Sequence, residues 1–157
     1  MSLRTQPGHL DLGVLMALAY GQFVAQLRGQ LAAEGFDDLG RSDGYVFRAL
    51  AADPLTTSEL AERLRISKQG AGQIVADMRR RGYVEGHTDP TDRRARRLRL
   101  APRGEQALAA ARRFHQRYER RLRRDFGADR IEGLRALLGA MASGDAALDP
   151  DIRGLYL

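Results

Sequence analysis

The stretch from Thr56 to Leu100 leaves the fewest folds open to this chain. It begins Leu55-Thr56-Thr57-Ser58-Glu59-Leu60, a Thr-x-x-Glu pattern. A threonine hydroxyl there accepts from the backbone N–H three residues on, and the glutamate reaches back to the threonine N–H, so a helix starts at Thr56. Leu55 and Leu60 are spaced as a hydrophobic staple across the cap. Leu60, Ala61 and Leu64 carry an apolar face, which Arg65-Ile66-Ser67 interrupts. Ser67 is a good N-cap for a second helix, Lys68 to Arg81, with Ala71, Ile74, Val75 and Met78 at i, i+3, i+4, i+7. Gly82 stops it. Tyr83-Val84-Glu85 then reads as the start of a strand, and Asp89-Pro90-Thr91-Asp92 as a turn. Arg93-Arg94-Ala95-Arg96-Arg97-Leu98-Arg99-Leu100 ends in apolar–basic alternation, the mark of a half-buried strand. The expected unit is helix, tight turn, helix and a basic β-hairpin.

Residues lie 100° apart on a helix, so Gln69, Gln73, Ala76 and Arg80 fall opposite the apolar stripe of the second helix. A helix lying in a major groove needs such a face, because its N-terminal residues meet base edges and Gln pairs bidentately with adenine. An ordinary amphipathic surface helix would show the same pattern. The hairpin adds weight to the first reading, since a narrow minor groove attracts inserted Arg. A solvated basic loop would not account for Asp89 and Asp92 among the arginines, where each acid can brace a guanidinium. The candidate DNA-contacting residues are therefore Ser67, Lys68, Gln69, Gln73, Arg80, Arg93, Arg94 and Arg96, with Asp89 and Asp92 as wing braces.

Elsewhere the pattern is helical. After a loose arm, Met1 to Gly8, a long helix is expected from His9 to about Ala33, apolar on several sides through Leu10, Val14, Leu18, Leu27 and Leu31. Such a helix is usually buried against more than one neighbour. Gly13, Gly21 and Gly29, at i, i+8, i+16, allow close helix approach, or reflect composition alone. Glu34 to Arg41 is a connector. Ser42 is expected to cap a short helix through about Ala52, which Asp53-Pro54 stops. Pro102 to about Phe126 is a second long helix. Its Ala107, Leu108, Ala111, Phe114, His115, Tyr118 and Leu122 are apolar, and seven arginines from Arg112 to Arg124 crowd the rest as a solvated face. A last helix starts at Ala128 or Asp129, with Ile131, Leu134, Leu137, Leu138 and Met141 on one face. The tail, Asp145 to Leu157, is apolar enough to dock.

The 157 residues suffice for one domain with a real core. A net charge of +6, with Lys68 the only lysine, fits a polyanionic partner and also mere solubility. The absence of Cys excludes disulfides, a thiol nucleophile and Cys-based metal sites. His9, His87 and His115 lack metal-ligand spacing. Gly70-Ala71-Gly72 lacks both the preceding strand and the third glycine of a dinucleotide fingerprint. No cofactor, no metal and no catalytic set is therefore expected. With no transmembrane-length stretch and no signal-type run in Met1 to Pro7, the expected place is the cytoplasm.

Residues 39–105 resemble a MarR-type winged helix-turn-helix regulator. Asp89-Pro90-Thr91-Asp92-Arg93-Arg94 is similar to that family's wing signature of Asp, two variable positions, Asp, a basic residue and Arg. Leu98-Arg99-Leu100-Ala101-Pro102-Arg103-Gly104 is similar to the strand and helix start that follow it. Ala101 departs from the Thr often found there, and Pro102 at the first helical position partly compensates. A weaker likeness runs from Gly8 to Ser143. The resemblance implies a mostly α fold with a small β wing: a winged head, residues 39–101, on an all-helical dimerisation base, residues 9–34 and 102–157. It implies a homodimer on a pseudo-palindromic double-stranded DNA operator, acting as a repressor that a small aromatic or phenolic effector releases. Tyr20, Phe23, Phe47 and Tyr118 would line the effector pocket, though each also suits core packing. The alternative is an architectural DNA-binding protein with little sequence preference, against which the amides of Gln69 and Gln73 argue.

Overall fold

A computed structural model describes residues 10–88 and 96–142. In chain order these form α1 (Leu12–Ala33), α2 (Asp43–Ala52), α3 (Thr57–Leu64), α4 (Lys68–Arg80), β1 (Val84–Thr88), β2 (Arg96–Leu100), α5 (Pro102–Phe126) and α6 (Ala128–Ala142). The fold is mostly helical with one small antiparallel sheet, as expected.

The local signals explain the boundaries. The Thr56 hydroxyl accepts from Glu59 N–H at 3.2 Å, and the Glu59 carboxylate accepts from Thr56 N–H at 2.7 Å, so the capping box is complete. Ser67 Oγ accepts from Gly70 N–H at 3.0 Å and opens α4. At the other end Tyr83 N–H reaches Met78 O at 2.9 Å and Gly82 N–H reaches Arg79 O at 3.0 Å. This is the Schellman closure, and it needs the positive φ of Gly82, 79°. Ser42 corrects the sequence expectation. It stands at the N-cap of α2 with helical backbone and no side-chain cap bond, and the Asp43 carboxylate instead accepts from Gly40 N–H at 2.8 Å.

The head core joins α2, α3, α4, the hairpin and the start of α5. Val46, Leu60 and Met78 are fully buried there with Tyr83, whose ring meets Phe47 edge-on at 5.6 Å. In the hairpin Val84 faces Leu100 and Gly86 faces Leu98. Leu98 and Leu100 are buried in the core, while Arg99, on the opposite face, and Arg96, at the strand's start, are exposed. Leu55 does more than staple the cap: its N–H and C=O both bond to Leu98, at 3.1 and 2.7 Å, and add one residue of pairing to the sheet.

A second cluster holds α1 to α5 through Leu27, Leu31, Ala110 and Phe114. The outer ends of the base are different. Leu12, Val14, Met16 and Leu18 of α1 are exposed, as are Leu134, Leu137, Leu138 and Met141 of α6, which has no buried residue. The arginines of α5 find partners on other helices as well as their own: Arg113 meets Glu34 at 2.7 Å, and Arg123 meets both Glu119 and Glu132. Among the described residues no helix is long and apolar enough to cross a membrane, and no group of three His, Cys, Asp or Glu could hold a metal ion.

Candidate nucleic-acid interface

Helix α4 turns Ala71, Val75 and Met78 into the core and leaves Ser67, Lys68, Gln69, Gln73, Ala76 and Arg80 exposed. Five of the sequence candidates are thus exposed: Gln69, Gln73 and Arg80 share one helix face, and Ser67 and Lys68 stand at the helix N-terminus. Backbone N–H groups and the helix dipole make that end favourable for a phosphate. Arg80 is braced within the helix by Asp77 at 2.9 Å. Its side chain is 72% exposed, so it can reach outward while the carboxylate limits its rotamers.

The hairpin sorts its arginines. Arg99 is tied across the sheet to Glu85 at 2.7 Å. Arg97 donates to Pro54 O at 3.0 Å and approaches Glu59 at 3.4 Å, fastening β2 to the start of α3. Arg96, a sequence candidate, is exposed at the first residue of β2. Asp89, Asp92, Arg93 and Arg94 lie outside the described residues.

Of the four aromatics, Phe23 and Tyr118 pack on each other edge-on at 5.0 Å, with Phe114 5.6 Å from Phe23. Tyr20 lies at their margin, 6.2 Å from Phe23. Phe47 belongs to the head core and also lines a cavity of about 240 Å³ between base and head. Its walls are Leu31, Leu39, Phe47 and Ala111, and Arg48, Arg112 and His115 supply polarity. Burial, and then the charge of Arg48, lower the His115 pKa and so favour the neutral imidazole.

Sequence reasoning missed a buried polar cluster behind α4. Asp43, 2% exposed, accepts two bonds from Arg81, at 2.7 and 3.2 Å. Arg81 also bonds Asp77 and donates to Asp38 O at 2.7 Å. Hydrogen bonds from Arg81 lower the Asp77 pKa, and those to Asp43 raise that of Arg81. Tyr83 lies between the guanidiniums of Arg81 and Arg103, 5.4 and 4.7 Å from its ring centre, and its hydroxyl donates to Asp38. Burial, then Asp38, pushes that phenol up to about 12. The i, i+4 spacing of Asp77 and Arg81 was the one visible signal.

A capped helix, a short turn, a second helix with an exposed polar face and a hairpin with outward arginine define a winged helix-turn-helix protein. Residues 37–95 match the family model described as MarR family. The exopolysaccharide II synthesis transcriptional activator ExpG of Rhizobium meliloti (strain 1021) is 26% identical over 114 residues, 73% of this chain. The chain spans 59% of that relative's length. The fold is similar to S. aureus MepR in its DNA complex, with a TM-score of 0.67 at 20% identity over 84% of this chain and 96% of that one. Streptococcus pneumoniae FabT in complex with DNA matches with a TM-score of 0.67 at 18% identity, covering 83% and 91%. The likeness to the MarR family is carried by residues 37–95, the helix-turn-helix and wing region.

Proposed function

We propose that this protein is a dimeric transcription regulator that binds double-stranded DNA with sequence preference, working in the cytoplasm. The observation that carries the reading is the exposed face of α4, where Gln69 and Gln73 are open to solvent opposite the buried Ala71, Val75 and Met78. Two amides near the N-terminus suit adenine edges in a major groove, and Lys68, Ser67 and the helix terminus suit flanking phosphates. Arg96, with Arg93 and Arg94 of the wing signature, would serve the adjacent minor groove. ExpG is described as an activator and the sequence resemblance implies a repressor. A bound dimer can do either, according to where its operator lies relative to the promoter.

Replacing Gln69 or Gln73 with Ala should cost about 1–3 kcal/mol on the preferred site and relax selection at one or two base pairs. Selecting bound duplexes from a random pool with each variant checks this. An unchanged consensus in both would remove α4 from base reading.

The cavity between base and head is the natural effector site. Apolar walls under Arg48 and Arg112 suit a small aromatic or phenolic anion, and about 240 Å³ exceeds the space of roughly 150 Å³ that takes a benzene ring.

A further inference from the structure

We infer that Arg81 is the positioning residue of the recognition helix: it ties the tilt of α4 to the connector between α1 and α2, and sequence discrimination depends on it although it does not face the DNA. The inference rests on the DNA-binding reading above.

Arg81 sits one residue beyond the end of α4, about 110° around the axis from the face centred on Gln69 and Arg80. Its side chain is only 18% exposed. A guanidinium has five N–H donors in a rigid fork, and here all five are used. Nε donates to Asp77 Oδ2 at 2.8 Å. Nη1 donates to Asp43 Oδ2 and to Asp38 O, both at 2.7 Å. Nη2 donates to Asp43 Oδ1 at 3.2 Å and to Asp77 Oδ2. Two of these partners belong to the connector and the start of α2, and one to α4. Asp77 completes the chain, because its other oxygen holds Arg80 on the exposed face.

The lever makes the arrangement matter. From Gln69 to Arg81 the helix runs about 18 Å, so a tilt of about 10° at Arg81 moves Gln69 by about 3 Å, the length of a hydrogen bond. Base-reading groups tolerate errors of roughly 0.5 Å. Apolar packing of Ala71, Val75 and Met78 fixes the depth of the helix, but hydrophobic contact is non-directional. A planar fork satisfied on two sides fixes an angle. Lysine, with three donors on one atom, cannot reproduce it.

The test compares wild type, Arg81→Lys and Asp77→Asn on two duplexes at several salt concentrations. One duplex carries the consensus that wild type selects from a random pool; the other is the same composition scrambled. Far-UV circular dichroism and thermal unfolding are recorded alongside. Asp77 is 45% exposed, so Asp77→Asn stays folded even if Arg81→Lys does not. The expected result is a fall in the consensus-to-scrambled affinity ratio, at least tenfold for Arg81→Lys and several-fold for Asp77→Asn. Scrambled-duplex affinity and its salt slope should stay as in wild type. A lower melting temperature with the ratio intact would overturn the inference, leaving Arg81 a stabilising residue only. Equal losses on both duplexes with a flatter salt slope would overturn it in favour of a phosphate contact. A wild type that selects no consensus would instead sink the DNA-binding reading beneath it.

Discussion

Gly104→Ala is expected to destabilise the protein by about 3 kcal/mol or more, by overpacking against rigid backbone. Gly104 lies in the first turn of α5, over the carbonyl of Tyr83. A Cβ there would stand 2.2 Å from Tyr83 O and 3.1 Å from Tyr83 C, atoms with no flexible side chain to give way. The same carbonyl accepts the Ala101 N–H at 3.0 Å, a bond that sets where α5 begins. To clear the clash α5 must move by about an ångström and give up that bond, which detaches it from the hairpin. Alanine would otherwise gain up to about 1 kcal/mol of helix propensity over glycine, so the clash decides the sign. Gly72→Ala is the control. It lies mid-helix in α4 with nothing within 4 Å of its added Cβ, and should stabilise slightly. At about 2–4 °C per kcal/mol the two variants should melt more than 6 °C apart. Similar unfolding curves for Gly104→Ala and wild type would show that the close approach carries no energy.

Leu137→Glu is expected to yield a folded monomer with DNA affinity lowered by roughly 100-fold or more. Leu137 is 57% exposed on α6, so within one chain the substitution touches little and should change stability by about 0.5 kcal/mol at most. The face it belongs to is too large for such neglect: α6 has no buried residue, and the first half of α1 exposes Leu12, Val14, Met16 and Leu18. Exposed apolar side chains in this number mark an interface, and the occupant proposed here is a second copy of the chain, as the two-headed binding mode requires. In a two-fold interface one substitution places two carboxylates in desolvated surroundings. Loss of the dimer turns binding through two linked heads into binding through one. Sedimentation equilibrium with a titration of the consensus duplex checks both parts. A wild type that is monomeric at micromolar concentration, or a Leu137→Glu variant that stays dimeric and binds as before, would contradict the proposal.

The head was legible in the sequence because its determinants are local. A capping box, a serine cap, a closing glycine and apolar residues at helical spacing each act within four or five residues. Each appears in the structure where the pattern put it, and so does the strand alternation of Leu98 and Leu100. Reading failed where partners are distant in the chain. Asp43 and Arg81 are 38 residues apart and Tyr83 and Asp38 are 45 apart, so neither pair leaves a periodic trace. Leu55 pairs with Leu98 through backbone alone, which no side-chain pattern announces. Ser42 forms no cap bond because its own backbone is already helical, a conformation set by tertiary context: the next residue, Asp43, is held by Gly40 N–H and by the distant Arg81. Arg97 looked like its neighbours in a basic run; only the fold shows that it is spent on Glu59 and Pro54 while Arg96 stays exposed. Phe23 and Tyr118 likewise read as either pocket or core, and they pack on each other.

In the proposed function two copies of the α4 face read a DNA sequence. The most direct measurement is the affinity of the wild-type protein for its own selected consensus duplex relative to a scrambled duplex of equal length, at one fixed physiological salt concentration. A ratio on the order of 10³ or more is expected for a sequence-reading dimer. A ratio near one, with tight salt-dependent binding to both, would contradict it and leave an architectural DNA-binding protein that grips backbone and reads nothing.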